Sequence, residues 1–207
     1  MERSIAGLVL AGGRSSRMAG TDKALLPLAG KPLVAHVLER LAPAVETIAI
    51  SANTEPRRFS AFGRPVIGDR LAGQRGPLAG IHAGLAWAAS AGFDRLVTTA
   101  TDTPFFPRDL VGRLAAGGHP ERIALAASQG RAHPVFGLWP TALADELAVF
   151  LNGPENPSVS GFCRSRGADI VDFAMQKRNG AEIDPFFNIN TPGDLAAAER
   201  LIAEQAQ

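Results

Sequence analysis

Between Leu8 and Lys23 the chain reads Leu-Val-Leu-Ala-Gly-Gly-Arg-Ser-Ser-Arg-Met-Ala-Gly-Thr-Asp-Lys. The apolar run Ile5 to Leu10 stops at Gly12 and Gly13, and Arg14, Arg17 and Lys23 follow within ten residues. Backbone N–H groups and cations thus converge where a strand ends, which is the composition of a triphosphate cradle. The glycines let the backbone approach a ligand without a Cβ in the way, and Arg17 and Lys23 supply the positive charge that phosphate oxygens need. Neither Gly-x-x-x-x-Gly-Lys-Ser/Thr nor Gly-x-Gly-x-x-Gly occurs, so this is not the common ATPase loop or the dinucleotide fingerprint. Lys23 follows Ala19-Gly20-Thr21, an arm able to fold over a ligand; a merely solvated loop lysine is the alternative.

Asp102 is the second anchor. It follows the apolar run Leu96 to Ala100, so it falls just beyond the carboxyl end of a strand, where open α/β sheets place ligands. A carboxylate facing a phosphate loop suits Mg²⁺, a hard cation that takes oxygen ligands and fills its remaining positions with water and substrate phosphates. On spacing alone, a turn cap ahead of Thr103-Pro104 fits equally well. Asn188 and Asn190 flank Ile189, so in an extended segment both amides point one way and Ile189 the other. They suit a metal-bound water or a phosphate oxygen, or plain turn and cap chemistry. Gly-x-Ser-x-Gly, a Cys beside a His motif and His-Glu-x-x-His are all absent, which leaves direct transfer between two positioned substrates rather than covalent catalysis.

The elements that must hold these groups alternate short apolar runs with amphipathic stretches, the pattern of an α/β fold with a mostly parallel sheet. Strands are expected at Ile5–Leu10, Thr47–Ser51, Pro65–Ile67, Arg95–Ala100, Ile123–Ala127 and Val135–Leu138, with a weaker one at Asp169–Asp172. Leu33, Val37, Leu38 and Leu41 share one helical face, as do Leu143, Leu147 and Leu151. A helix is expected over Leu78–Ala89. The last helix has the clearest start, with Thr191 as N-cap, Pro192 at the first helical position and Asp194 three residues after the cap, and it directs Leu195, Leu201 and Ile202 inward. Pro and Gly concentrate at 153–161, a candidate flexible boundary.

The 207 residues fit one α/β domain, nucleotide-binding over about 1–105 and acceptor-binding over about 106–207. A net charge of +1 gives no global attraction to nucleic acid or anionic membrane, so anion binding must come from local clustering. No secretory signal pattern and no 18-residue apolar run occurs, which points to the cytoplasm. Cys163 is the single cysteine, excluding an intrachain disulfide and a thiolate metal cluster; it reads as a buried structural thiol. His36 and His82 fall in helices and read as structural, and His119 sits in a Gly-rich loop.

Leu10-Ala11-Gly12-Gly13-x-Ser15-x-Arg17-Met18 followed by Asp22-Lys23 resembles the signature of Rossmann-like nucleotidyltransferases, and the molybdenum cofactor guanylyltransferases in particular. The resemblance continues through Gly30-Lys31-Pro32-Leu33, Asp69, Gly76-Pro77-Leu78-Ala79-Gly80, Thr101-Asp102-Thr103-Pro104, His133-Pro134 and Asn188-Ile189-Asn190-Thr191-Pro192. It implies a three-layer sandwich with helices on both faces of the sheet. The implied reaction moves GMP from GTP to the terminal phosphate of molybdopterin with Mg²⁺ on Asp102, and proteins that deliver the cofactor or mature molybdoenzymes are implied transient partners.

By the same resemblance Leu10, Ala11, Gly12, Gly13, Asp69, Gly76, Pro77 and Leu78 contact the nucleotide, Arg17, Lys23 and Asp102 serve catalysis, and Asn188 and Asn190 line the site near the metal. Relatives present Asn near Ser51, which leaves Ser51 and Asn53 both open as nucleotide contacts. His133 falls on the acceptor side, and Arg131 and Arg164 are the nearest cations to replace basic residues that relatives carry near 157–160. Relatives also have a glycine where Ala19 stands. A cytidylyltransferase, a sugar-phosphate nucleotidyltransferase and a non-catalytic GTP-binding module remain as alternatives; Gly12, where CTP users tend to have Ala, favours guanine.

Overall fold

The computed structural model describes residues 4–12, 17–18, 21–53, 55–69, 76–153, 157–178 and 181–203, and the side chains of 17, 18, 21, 178 and 181 lie outside the description. Its central sheet has seven strands: β1 (Ile5–Leu10), β2 (Thr47–Ser51), β3 (Val66–Ile67), β4 (Arg95–Ala100), β5 (Ile123–Ser128), β6 (Arg131–Pro140) and β7 (Ala168–Asp172). Their order across the sheet is β7-β5-β6-β4-β1-β2-β3. All neighbours pair in parallel except β6, which runs antiparallel to both β4 and β5.

The helices are α1 (Leu33–Leu41), α2 (Pro77–Ser90), α3 (Leu110–Gly117), α4 (Ala144–Leu151), α5 (Val159–Arg166) and α6 (Pro192–Ala203). Side chains alternate along each strand, and the two sheet faces bury different helices. Val9, Ile48, Ile50, Val97 and Phe136 pack with the apolar faces of α1 and α3. Leu8, Leu10, Ala49, Leu96 and Trp139 pack with α2, α4 and α5. This is the three-layer sandwich expected. A third cluster of Leu28, Leu33, Phe105, Ile189 and Ala198 seats α6, with Leu195, Leu201 and Ile202 against it.

Close approach of α2 to the sheet depends on two glycines. A Cβ on Gly80 would lie 2.6 Å from Ser51 Oγ and 3.0 Å from Leu10 Cδ2, and one on Gly84 would lie 2.5 Å from Leu8 Cδ2.

Register decides where the chemistry can sit. Leu10 pairs with both Ser51 of β2 and Ala100 of β4, and Ser51 pairs with Ile67 of β3. The four parallel strands end level, so Gly12, Asn53, Asp69 and Asp102 all leave one carboxyl edge.

Three of the expected strands have the bounds read from sequence, and the last helix starts as expected. The short strand begins at Val66 rather than Pro65, and Val135–Leu138 is only part of the ten-residue β6. That strand is reached by a two-residue turn in which Gln129 (φ 50°) and Gly130 (φ 74°) are both left-handed, the hairpin geometry that reverses strand direction. Two helices went unread. α3 is short and glycine-bounded, and α5 lies partly within the Pro- and Gly-rich stretch, where Ser158 caps it by accepting from Gly161 N. Among the described residues no helix is long and apolar enough to cross a membrane.

Candidate active site

Three segments far apart in sequence meet at the carboxyl edge of β4. Lys23 Nζ donates to Asp102 Oδ2 at 2.9 Å and to Asn190 Oδ1 at 2.6 Å. Thr103 Oγ1 donates to Asn188 Oδ1 and lies 3.3 Å from Asp102 Oδ1. The main chain joins them too, since Ile189 N donates to the Asp102 carbonyl at 2.8 Å. Ile189 is fully buried while Asn188 and Asn190 are exposed on the opposite side, the alternation expected of an extended segment.

Lys23 is not the merely solvated loop lysine of the alternative reading. Its side chain is 8% exposed, and it opens a short 3₁₀ turn, Lys23–Leu25, capped by Asp22, whose carboxylate accepts from Ala24 N. Burying an ammonium is costly unless charge and hydrogen bonds compensate it, and here Asp102 and Asn190 do so. The ammonium has three N–H donors, of which these two bonds use two.

The asparagine segment is held by the start of α6. Asp194 Oδ2 accepts from Asn190 N at 2.9 Å and Thr191 N at 2.8 Å, and Asp194 N donates to Thr191 Oγ1 at 3.1 Å, a reciprocal capping arrangement. The Asn190 and Thr191 amides, then the Thr191 hydroxyl and the nearby Lys23 charge, hold the Asp194 carboxyl below the usual carboxylate range.

Where β1 ends, Leu10 and Ala11 are buried, Ala11 N donates to the Ser51 carbonyl at 2.8 Å, and Gly12 is exposed. Gly13 and the Arg17 side chain lie outside the described residues. Ser51 and Asn53 occupy different environments. Ser51 is 5% exposed beneath Gly80 of α2, whereas Asn53 is exposed and grips Asp69 twice, Nδ2 to Oδ2 at 2.6 Å and Oδ1 from Asp69 N at 2.9 Å. Gly76 (φ 65°) and Pro77 are exposed at the start of α2, and Leu78 is buried.

On the β5–β6 side, His133 stacks on Phe186 with ring centroids 4.4 Å apart, and its Nε2 lies 2.7 Å from Ser128 Oγ. Ser128 Oγ also lies 2.8 Å from Asp184 Oδ1. Desolvation lowers the His133 pKa, Arg131 adds to the effect, and Asp184 opposes it. Ser128 and Asp184 escaped the sequence reading, because Ser at a strand end and Asp before Pro each look like ordinary turn chemistry.

The structure does not bring Arg131 and Arg164 together. Arg131 follows Ser128 at the carboxyl end of β5, while α5 leads into Ala168, which pairs with Ile123 at the amino end of the same strand. Cys163 is buried, and burial pushes its thiol up to about 12, as fits a structural residue.

Residues 7–165 match the family model described as the MobA-like NTP transferase domain. The chain is 51% identical to the molybdenum cofactor guanylyltransferase of Mesorhizobium japonicum over 98% of each chain. It is 48% identical to the one from Cereibacter sphaeroides, over 97% of this chain and 98% of the other. The chain belongs to the molybdenum cofactor guanylyltransferase family. Its fold agrees with the crystal structure of molybdopterin-guanine dinucleotide biosynthesis protein A from Archaeoglobus fulgidus, at a TM-score of 0.67 and 25% identity, covering 96% of this chain and 99% of that one.

As a molybdenum cofactor guanylyltransferase the chain is a nucleotidyltransferase, and the family implies a divalent metal. The donor set fits that need in a particular way. Among the described residues no three His, Cys, Asp or Glu side chains gather to cage an ion. Asp102, with 28% of its side chain exposed, and the nearby amide oxygens of Asn188 and Asn190 instead offer hard oxygen donors that suit a cation completed by substrate phosphates.

Proposed function

We propose that the chain transfers GMP from GTP to the terminal phosphate of molybdopterin in the cytoplasm, forming the guanine dinucleotide cofactor and pyrophosphate. The observation that carries this reading is the convergence of Lys23, Asp102, Asn188 and Asn190 at the edge where the Gly12 loop also ends. An oxygen of the acceptor phosphate forms a bond to the α-phosphorus of GTP, and the bond between that phosphorus and the β-phosphate oxygen breaks. The attacking oxygen is already anionic, so no general base is needed.

What the chain supplies is position and charge. Asp102, with Asn188 and Asn190 beside it, would hold Mg²⁺. The bound ion would neutralise phosphate charge as a Lewis acid. Lys23 directs its third N–H toward the departing pyrophosphate, with Arg17 as a second cation. Leu10, Ala11, Gly12 and Gly13 give the nucleotide a backbone surface, and Asn53 with Asp69, and the Gly76-Pro77-Leu78 entry to α2, border the same edge. His133 and Arg131 lie on the β5–β6 side, where the acceptor would bind.

Incubating the protein with Mg²⁺, molybdopterin and each nucleoside triphosphate in turn tests the reading. Product from GTP with release of pyrophosphate is expected. Preferential product from CTP, or GTP binding without any transfer, would overturn it.

A further inference from the structure

Ser128 has one hydroxyl hydrogen and two polar neighbours. Asp184 is a carboxylate, which can only accept, so the Ser128 hydrogen goes to Asp184 Oδ1 at 2.8 Å. The contact of 2.7 Å between Ser128 Oγ and His133 Nε2 must then run the other way, with Nε2–H donating to the hydroxyl oxygen. The order of donors, His133 to Ser128 to Asp184, fixes the imidazole as the Nε2–H tautomer. In the neutral ring this leaves Nδ1 with a free lone pair, and among the described residues Nδ1 has no hydrogen-bond partner.

The rest of the environment is packed and hydrogen-bonded. Ser128 is 1% exposed at the end of β5. Asp184 is pinned by Phe186 N, which donates to the same Oδ1 at 2.9 Å. Phe186 in turn stacks on His133 and packs edge-on against Phe173, with centroids 5.5 Å apart. The segment that carries Asp184 and Phe186 continues directly into Asn188 and Asn190, which reach Thr103 and Lys23. One short stretch therefore anchors the His133 network at one end and the Asp102 centre at the other.

We propose that Ser128 and Asp184 are positioning residues that lock the His133 tautomer, so that its Nδ1 accepts a hydrogen bond from an N–H of the acceptor's ring system. This rests on the reading of the protein as a transferase with a pterin acceptor. A pterin offers amide N–H and amino donors, which a ring nitrogen can accept, whereas a protonated imidazole or the other tautomer presents a donor there and rejects them. Discrimination of this kind is strong, because a buried group left without its partner is penalised. His133 thus reads the heterocycle, and Arg131 is the cation available to its phosphate.

Ring ¹⁵N NMR of His133 in the full chain, together with steady-state KM values for molybdopterin and GTP, tests this. Wild type is expected to show a protonated Nε2 and an unprotonated Nδ1 at pH 7.5, with the Nδ1 resonance moving on addition of molybdopterin. Ser128→Ala should mix the tautomers and raise the molybdopterin KM about tenfold, with the GTP KM unchanged. Asp184→Asn keeps a carbonyl oxygen for the Ser128 hydroxyl, so it should keep the tautomer while lowering the His133 pKa further. A wild-type ring protonated on Nδ1 would overturn the proposal. So would an Ser128→Ala protein that folds and retains the wild-type molybdopterin KM. If Ser128→Ala fails to fold, Asp184→Asn decides, because a mixed tautomer in that variant would show that charge rather than the hydroxyl relay orients the ring. Wild-type protein that transfers nothing to molybdopterin would instead sink the function reading, and His133's role as a reader of that acceptor with it.

Discussion

Lys23 Nζ and Asp102 Oδ2 lie 2.9 Å apart although 79 residues separate them in the chain. The carboxylate at the end of β4 therefore takes its counter-ion from the loop that follows β1. Lys23 and the proposed metal ligand form one electrostatic unit, buried on the Lys23 side and open on the Asp102 side.

Asp102→Asn should reduce transfer by roughly 100-fold or more, because it removes charge stabilisation made chiefly in the transition state. It should also cost stability, about 1–3 kcal/mol, since Lys23 keeps its burial and loses its counter-charge. Turnover in Mg²⁺ and a denaturant melt check both. Near-normal turnover would remove Asp102 from the metal.

Lys23→Ala should weaken GTP more than GMP, because the contact proposed for its third N–H is to phosphates beyond the one transferred. Equilibrium binding of the two nucleotides gives the ratio. An equal loss for both would make Lys23 only the structural partner of Asp102.

Two glycine substitutions should separate. A methyl on Gly12 meets no atom of the described residues within 4 Å, so a changed preference for GTP over CTP in Gly12→Ala is expected to come from the ligand, with a ceiling of about 1–3 kcal/mol. Gly80→Ala drives a methyl into Ser51 Oγ and Leu10 and should destabilise the fold by about 1–3 kcal/mol. Melting curves and competitive GTP/CTP turnover distinguish them.

Arg131→Ala should raise the molybdopterin KM with the GTP KM unchanged, and Arg164→Ala should alter neither. Six residues of β5 separate the two ends of the sheet, about 16 Å at the rise of an extended strand. An acceptor that depends on Arg164 and not Arg131 would place its phosphate at the opposite edge.

Stability should rise with pH through the histidine range. Desolvation lowers the His133 pKa below its usual 6.5, so below that pH the unfolded chain takes a proton that the folded chain refuses. The contribution is complete above about pH 6.5 and declines as pH falls toward the folded pKa. Denaturant midpoints of wild type and His133→Gln at pH 7.5 and 5.5 should show the smaller pH dependence in the variant.

The elements with strong periodicity were legible: the runs at Ile5–Leu10 and Arg95–Ala100, the cap of α6, and the alternation around Ile189. Each depends on local propensity or on a period of two, which a linear reading contains. The direction of β6 was not, because Gln129-Gly130 is a weak hairpin signal beside Asn-Gly, and reversal depends on two positive φ values. α5 stayed hidden because its capping serine lies next to prolines and glycines that read as a break.

By itself the sequence determined the chemical groups and the edge of the sheet they occupy, because strand ends, glycines and caps are encoded within a few residues of one another. Tertiary structure alone decided the partners. Lys23 became half of a buried ion pair, Asn53 rather than Ser51 bonded to Asp69, Arg164 fell at the far end of the sheet, and Ser128 and Asp184 joined His133. The reason is that partner choice depends on strand order and register, and these follow from burying α1 to α5 against the two faces of one sheet at once, a global constraint that no local stretch of sequence expresses.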